Sequence, residues 1–546
     1  MRVSTENSAV ARLRNEDGFT MLVTLGVLLV SGLLLTAAFT ASSGDIQLSH
    51  HSTNHSQAYY AAAAGIQAFE NELQKEPNYW ETCPELKKTL GSSGSPESYI
   101  VKPLPAENPT SGKFTRCETS KPFQSMIEKA GSAAADTFRI EATGEAGNSG
   151  PTQASAQKII ATFKVDGFLN YVYFTHYEDE DPELYSAPSG CAEKYYSERP
   201  STCSTIIFTS GDSVNGPMHT DDAAAICGEV SFGRSGRTVD DVVEINGKPY
   251  AYNCSGGSYK PKFNTANGES TIGAELLPPE SDSSLTQYVL PADEFTGVTH
   301  IALEGETIKI TNKSVNKGAP ESIAWPENGL IYVKNNKGCG FNFGEHYANE
   351  TLDTSTEESE EATCGTVYVS GRYAKPLTIA AEEDVIIDGE ILPSAILKAG
   401  ETPPANDVAT LGLIANDYVR IYHPLEEVEK CSSQGFGKSA KQVCTTTTVN
   451  GKGSLTNPWI YAAILATKSS FLVDNYKSGT ELGHLNVYGA IAQNYRGIVG
   501  QSGSGGTGYL KEYKYDERLA VDEPPYFLQP LNAEWRVIRE TSGSSG

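Results

Sequence analysis

Three groups of side chains in this 546-residue chain have types and spacing that could do chemistry. The first is His219-Thr220-Asp221-Asp222. A carboxylate beside an imidazole fixes its tautomer and raises its basicity, so such a pair can move protons or hold a metal. The competing account is a polar turn at the start of a β coil, its side chains tying backbone groups. The sequence favours the turn, because the histidines show neither HExxH nor any paired spacing. His50, His51 and His55 read as solvated positions on a helix. The second group is two acidic runs, Glu178-Asp179-Glu180-Asp181 and Glu357-Glu358-Ser359-Glu360-Glu361. Calcium takes about six to eight oxygens, which either run could help to supply. Neither has the spacing of a calcium-binding loop, and both read as solvated loops. The third group is the glycine-rich stretch 500–508, which no Lys-Ser/Thr follows. It reads as a flexible loop rather than a phosphate cradle. No catalytic residue, metal ligand or cofactor is assigned on this basis.

Composition narrows the classes further. Lys and Arg number 42 and Asp and Glu 68, a net charge of −26. Phosphate backbones are gripped by clustered Lys and Arg, so nucleic acid is not an expected partner. A hydrophobic content of 39% is too high for a wholly disordered chain.

Ten cysteines all lie beyond residue 80, an even number that points to an oxidising compartment. No CxxC occurs, which removes the zinc-ribbon reading. The simplest pairing joins neighbours: Cys83–Cys117, Cys191–Cys203, Cys227–Cys254, Cys339–Cys364 and Cys431–Cys444. Free buried thiols are the alternative at each.

These side chains must be positioned by elements that the hydropathy pattern divides sharply. No residue between Gly18 and Gly44 is charged. About 20 apolar residues span a bilayer, so 19–43 reads as a transmembrane helix. Arg2, Arg12 and Arg14 precede it and the next basic residue is Lys75, which places residues 1–18 in the cytoplasm and the bulk outside. A cleaved secretory signal is the alternative, with a site near Ala41-Ser42-Ser43. The apolar run is too long for an ordinary signal, and acids stand where basic residues would precede one. Residues 45–74 contain no proline, and Ile66, Phe69 and Leu73 share a stripe with Tyr59 and Ala62. The helix therefore continues to 74, lipid-bound below and amphipathic above.

Asp17-Gly18-Phe19-Thr20-Met21-Leu22, followed by this helix, resembles the start of the type IV pilin and pseudopilin family. Gln57-Ala58-Tyr59-Tyr60-Ala61-Ala62-Ala63-Ala64-Gly65-Ile66 is similar to the signature of PilX-type minor pilins. The resemblance implies cleavage by a prepilin peptidase between Gly18 and Phe19, and N-methylation of Phe19. It implies other pilin subunits as partners through the helix, the cytoplasmic membrane before assembly, and the cell surface or pilus afterwards. Two positions depart from the family: Val23 and Ala63 stand where Glu is usual. An uncharged residue 23 suits a minor or tip subunit, since a carboxylate at bilayer depth is costly without a partner.

Beyond the helix the chain reads as mainly β. Residues 75–167 suit a pilin-like head, with a hairpin at 137–165 turned by Asn148-Ser149-Gly150-Pro151. From 168 to 535 short apolar runs alternate with turns, as at 366–369, 377–380, 411–415 and 485–491. Such recurrence suggests a parallel β-helix, with a β-sandwich stack as the alternative. Insertions at 345–363 and 426–457 read as loops thrown out of coils, each tied near its ends by a cysteine pair. The tail 536–546 reads as flexible. Residues 216–221, 411–415, 513–519 and 524–526 resemble large pilus-associated proteins that join a PilX-like helix to a β domain. The expected function is a non-enzymatic pilus or pseudopilus subunit for assembly, adhesion or surface contact, with a surface ligand of unspecified chemistry. A membrane-anchored β-helix enzyme acting on polysaccharide is one alternative, and a signal-anchored surface protein another.

Overall fold

A computed structural model describes residues 19–542, apart from 77–78, 91–96, 108–112, 129–136, 148–154, 166, 186–190, 192–198, 238–239, 253, 255–257, 341–361, 405, 435–440, 504, 521 and 534. The leader with Gly18, the Asn148–Pro151 turn and the run Glu357–Glu361 lie outside the described residues.

One helix runs Phe19–Lys75, 57 residues. Its segment Met21–Thr40 is long and apolar enough to cross a membrane, and none of it is buried. The upper half behaves differently. Ala58, Ala62, Ile66, Phe69 and Leu73 are buried on one face, at the spacing of a 3.6-residue period. That face lies on an antiparallel sheet of five strands: Leu86–Leu90, Glu97–Leu104, Thr137–Ala146, Ser155–Val165 and Trp535–Ser542. Phe138 stacks on Phe163 at 5.1 Å and meets Trp535 at 4.7 Å, between helix and sheet. Gly144 makes the close approach possible: a Cβ there would sit 2.0 Å from the Ala58 carbonyl oxygen.

The last strand corrects the expectation of a flexible tail at 536–546. Trp535–Ser542 pairs antiparallel with Ser155–Val165, from Trp535 opposite Val165 to Ser542 opposite Ile159. Trp535 also contacts Trp80, so this strand is held by a ladder and by aromatic packing, while 543–546 lie outside the described residues. The β body is therefore inserted between two adjacent strands of the head sheet.

That body is a parallel β-solenoid. One column runs through strands 294–296, 330–334, 377–381, 411–415, 463–466, 490–495, 173–177, 218–220 and 243–245, each parallel to the next. The order is not that of the chain. The first rung, Tyr173–Tyr177, lies in the middle, stacked on the last one, Ile491 opposite Tyr173. The chain climbs from 173 to the 243–263 rung, returns along the side, restarts at Glu294 and climbs back to meet its own beginning. Eight steps at about 4.8 Å make roughly 38 Å, within reach of the strap between Thr271 and Glu294 at about 3.3 Å per residue.

The core of the solenoid is aliphatic, with Ile379, Leu413, Ile464 and Ile491 stacked from rung to rung. Parallel strands buried on both faces produce the continuous apolar runs seen in the sequence.

Two expected loops take regular form. Residues 425–450 are a two-stranded ribbon, Leu425–Gln434 against Lys441–Asn450, with Cys431 directly opposite Cys444. The disulfide lies toward its tip, not at its base. In the glycine-rich stretch, Gly500–Gln501 folds back antiparallel onto Thr507–Tyr515, and Gly508 adopts a φ of +64° that glycine tolerates. Disulfides join Cys83 to Cys117, Cys191 to Cys203, Cys227 to Cys254, Cys339 to Cys364, and Cys431 to Cys444. The excursion closed by Cys339–Cys364 lies mostly outside the described residues.

Candidate functional site

The corner that follows the main column carries polar residues in register. Asp417 leaves the 411–415 rung, and Thr467, Lys468 and Ser469 leave the next. Asn494 and Tyr495 follow, then His176 and Tyr177 at the join. Parallel stacking places them about 4.8 Å apart, as a ladder along the axis. Tyr177 and Tyr495 stack at 5.0 Å across the join. Facing the ladder is the strap, with Leu277, Pro278, Pro279 and Glu280, and beyond it Leu531. Between the two lies an open cleft of about 930 Å³.

The strap is held at both ends. At one end the Leu276 amide donates to both Asp221 oxygens, at 3.2 and 3.3 Å. At the other, the Asp282 amide donates to Asn416 Oδ1 at 2.7 Å and Tyr332 donates to Asp282 Oδ1 at 3.0 Å. Asp282 is buried, and burial pushes its carboxyl up to about 7 despite the Tyr332 bond.

Asp221 is the hub of the upper end. Its Oδ2 lies 2.8 Å from His176 Nδ1, and its Oδ1 lies 2.9 Å from His219 Nε2. Asn246 Nδ2 donates to the same Oδ1 at 3.2 Å. His219 Nδ1 lies 2.8 Å from Glu244 Oε2, which also accepts from the Tyr171 hydroxyl at 2.7 Å. His219 has no exposed surface and both ring nitrogens are engaged. Burial disfavours its imidazolium, but the bonds to Asp221 and Glu244 outweigh that and raise its pKa. The bonds from His176 and His219 hold Asp221, and those from His219 and Tyr171 hold Glu244, below the usual carboxylate range against their own burial. The group is a buried charge bridge tying three rungs to the strap, with no ring lone pair left for a substrate or a metal. His219 and Thr220 lie in the strand Met218–Thr220, with Asp221 and Asp222 at the bend that follows.

His176 is the residue that sequence reasoning missed. It is 94% buried and lines the cleft. Its Nδ1 is paired with Asp221 Oδ2, on the neighbouring rung. Nothing in the local sequence marks it, because its carboxylate lies 45 residues further on.

The run Glu178–Asp181 is a second correction. It was expected to be solvated, and all four side chains are buried. Glu178 accepts from Arg496 Nη1 at 2.8 Å and from the Tyr173 hydroxyl at 3.0 Å. Asp179 accepts from Tyr185 at 3.2 Å. Asp181 accepts from Tyr418 at 3.0 Å and from the Glu183 amide at 3.0 Å. Burial pushes Glu180 up to about 7. The run turns inward because partners from distant rungs wait there, which a linear pattern cannot show. Of the helix histidines, His55 is exposed.

No family model matches the chain, and no curated protein does. Among solved structures, the chain aligns with the crystal structure of competence-associated pilin ComZ from Thermus thermophilus. The alignment covers 90% of this chain and 98% of that one, with 11% identity and a TM-score of 0.26, a likeness too slight to carry an argument.

Proposed function

We propose that the chain is a type IV pilin-like subunit, minor or tip-located, that presents a large acidic solenoid outside the cell without catalysing a reaction. The observation that carries this is the two-part helix. Its lower segment Met21–Thr40 is apolar and wholly unburied, while its upper half is packed onto an antiparallel head sheet. A 20-residue segment this apolar and unburied needs lipid or the helices of neighbouring subunits. Gly18-Phe19 at its start supplies the processing site, with a prepilin peptidase as partner and Phe19 as the methylated terminus. Basic residues before the helix and five disulfides after it support a cytoplasmic N-terminus and an oxidising exterior. Val23 removes the charge that would need a neighbour, as suits a subunit at the end of a filament.

The test is the mature N-terminus. Mass spectrometry of the protein from its native membrane should find a chain beginning at methylated Phe19. In cells without prepilin peptidase it should keep the residues ahead of Phe19 and stay in the membrane. A start near Ser42, or identical size and location in both strains, overturns the reading.

A further inference from the structure

We infer that Lys511 and Asp212 condense to an isopeptide bond, an amide between Lys511 Nζ and Asp212 Cγ that ties the strand Thr507–Tyr515 to the turn before Ser213–Asn215. The strand turns Tyr509, Lys511, Tyr513 and Tyr515 to the core at alternate positions, and all four are buried. Three of these positions hold tyrosine and the fourth a lysine, a residue almost never buried without a partner. The partner is Asp212. Nζ lies 3.1 Å from its Oδ2, and both side chains are more than nine-tenths buried. Lys164, the other buried lysine among the described residues, stands further from its acid, 3.6 Å from Glu523, and donates to the Ala520 carbonyl as well.

As an ion pair the contact is poorly completed. An ammonium has three N–H bonds to place. Among the described residues, Lys511 Nζ has one acceptor, Asp212 Oδ2, with the Phe208 ring centre 6.0 Å away. An amide has one N–H and no charge, so condensation removes two buried charges and two of the three donors. The site is also set for the reaction. Burial pulls the Lys511 pKa down against the charge of Asp212, and Arg496 adds to the fall, which favours the neutral amine that attacks. The Lys511 amide donates to Asp212 Oδ1 at 3.1 Å and the Thr209 amide to Oδ2 at 3.0 Å. Donors on both oxygens stabilise the oxyanion that forms when Cγ becomes tetrahedral. Held in contact, amine and acid react as if at very high concentration, and burial keeps out the water that would reverse the step.

The step balances without a co-reactant. Nζ passes a proton to Oδ2, giving amine and carboxylic acid. The nitrogen lone pair adds to Cγ and the Cγ–Oδ2 bond breaks. Oδ2 departs as water, with that proton and a second from Nζ, and Oδ1 remains as the amide oxygen. Nothing is oxidised or reduced. Each chain reacts once, so the bond is compatible with a protein that turns over no substrate. Lys511 and Asp212 are 299 residues apart, and the bond therefore closes a ring of chain that includes most of the solenoid. The pairing of Ile491 with Tyr173 at the join lies outside this bond and stays noncovalent. The inference rests on the solenoid alone and does not depend on processing at Phe19.

The experiment is peptide mapping of the full chain, purified in detergent, reduced, alkylated and cut with trypsin. An acylated Nζ blocks cleavage after Lys511, and Arg199 is spared because proline follows it. The expected product, in most chains, is peptide 497–514 joined to peptide 195–234, lighter than the sum of the two by one water. Asp212→Ala should instead release 497–511 as an ordinary peptide. The native chain alone decides the matter, so a variant that fails to fold does not obscure it. Cleavage after Lys511 with a free 195–234 peptide in most native chains would show a plain ion pair and overturn the assignment. A linked peptide that persists in Asp212→Ala would overturn it as well.

Discussion

The join between the last and first rungs of the solenoid should be held largely by Arg496, and the substitution Arg496→Met tests this. Rungs elsewhere follow one another along the chain, so separating them leaves them tethered. At the join, Glu481–Tyr495 meets Tyr173–Tyr177 across more than 300 residues of intervening chain. Arg496 is fully buried there. Its amide donates to the Tyr177 and Asp179 carbonyls at 3.0 and 3.1 Å. Its Nη1 donates to Glu178 Oε2 at 2.8 Å and to the Ile206 carbonyl at 3.1 Å, and its guanidinium lies 3.6 Å from the centre of the Phe208 ring. Removing one partner of a buried pair strands the other charge, at a cost of about 3–5 kcal/mol. At about 1.4 kcal/mol per factor of ten, local opening should become roughly 100- to 4,000-fold more frequent. A solenoid behaves as a row of neighbour contacts, so the loss should stay near the join. Hydrogen exchange of the full chain reads this directly. Amides of Tyr173–Tyr177, Ser213–Asn215 and Thr507–Tyr515 should lose protection, while those of Val367–Tyr373 keep it. Arg496 Nε and Nη2 have no partner among the described residues, so the pair is imperfectly satisfied. The double variant Arg496→Met/Glu178→Leu should therefore recover much of the loss. Protection lost evenly along the solenoid, or unchanged at the join, would refute the reasoning.

The strap should loosen as pH rises. Asp282 and Glu180 are both pushed up to about 7 by burial, so the folded state keeps protons that the unfolded chain releases near pH 4. Their contribution to stability is present at low pH and declines between about pH 4 and pH 7. Glu382 adds repulsion at Asp282, while Lys468 and Tyr332 oppose it. With one pKa unit at about 1.4 kcal/mol, Asp282 alone supports a fall on the order of 2–4 kcal/mol between pH 5 and pH 8. His219 acts in the same direction, because a raised imidazole loses its stabilising charge as pH rises through its folded pKa. Guanidinium titrations should show a lower midpoint at pH 8, and Asp282→Asn should flatten the dependence; a higher midpoint at pH 8 contradicts the sign. In the head, Gly144→Ala would place a methyl 2.0 Å from the Ala58 carbonyl oxygen and 2.4 Å from the Ala62 nitrogen. Overpacking against backbone should cost about 1–3 kcal/mol, read as faster exchange in Thr137–Ala146, and an unchanged rate would show that the helix can shift away freely.

The sequence by itself determined whatever depends on local order. The uncharged run after Gly18 marks an apolar helix, because bilayer thickness and helix rise set a length that can be counted. The stripe Ile66, Phe69, Leu73 marks the face that meets the head. Continuous apolar runs such as 411–415 mark strands buried on both faces, hence a parallel solenoid. The tertiary structure alone decided the rest. Only folding places the last rung under the first, sends the strap back along the side, and returns Trp535–Ser542 to the head sheet. Those events fix the chemistry. They bring Arg496 to Glu178 and Tyr418 to Asp181, burying an acidic run that reads as solvated. They also set Asp221 between two histidines and turn His176, unremarkable in the sequence, toward a cleft. The physical reason is that burial and charge pairing depend on neighbours in space, and in this solenoid adjacent rungs can lie hundreds of residues apart in the chain.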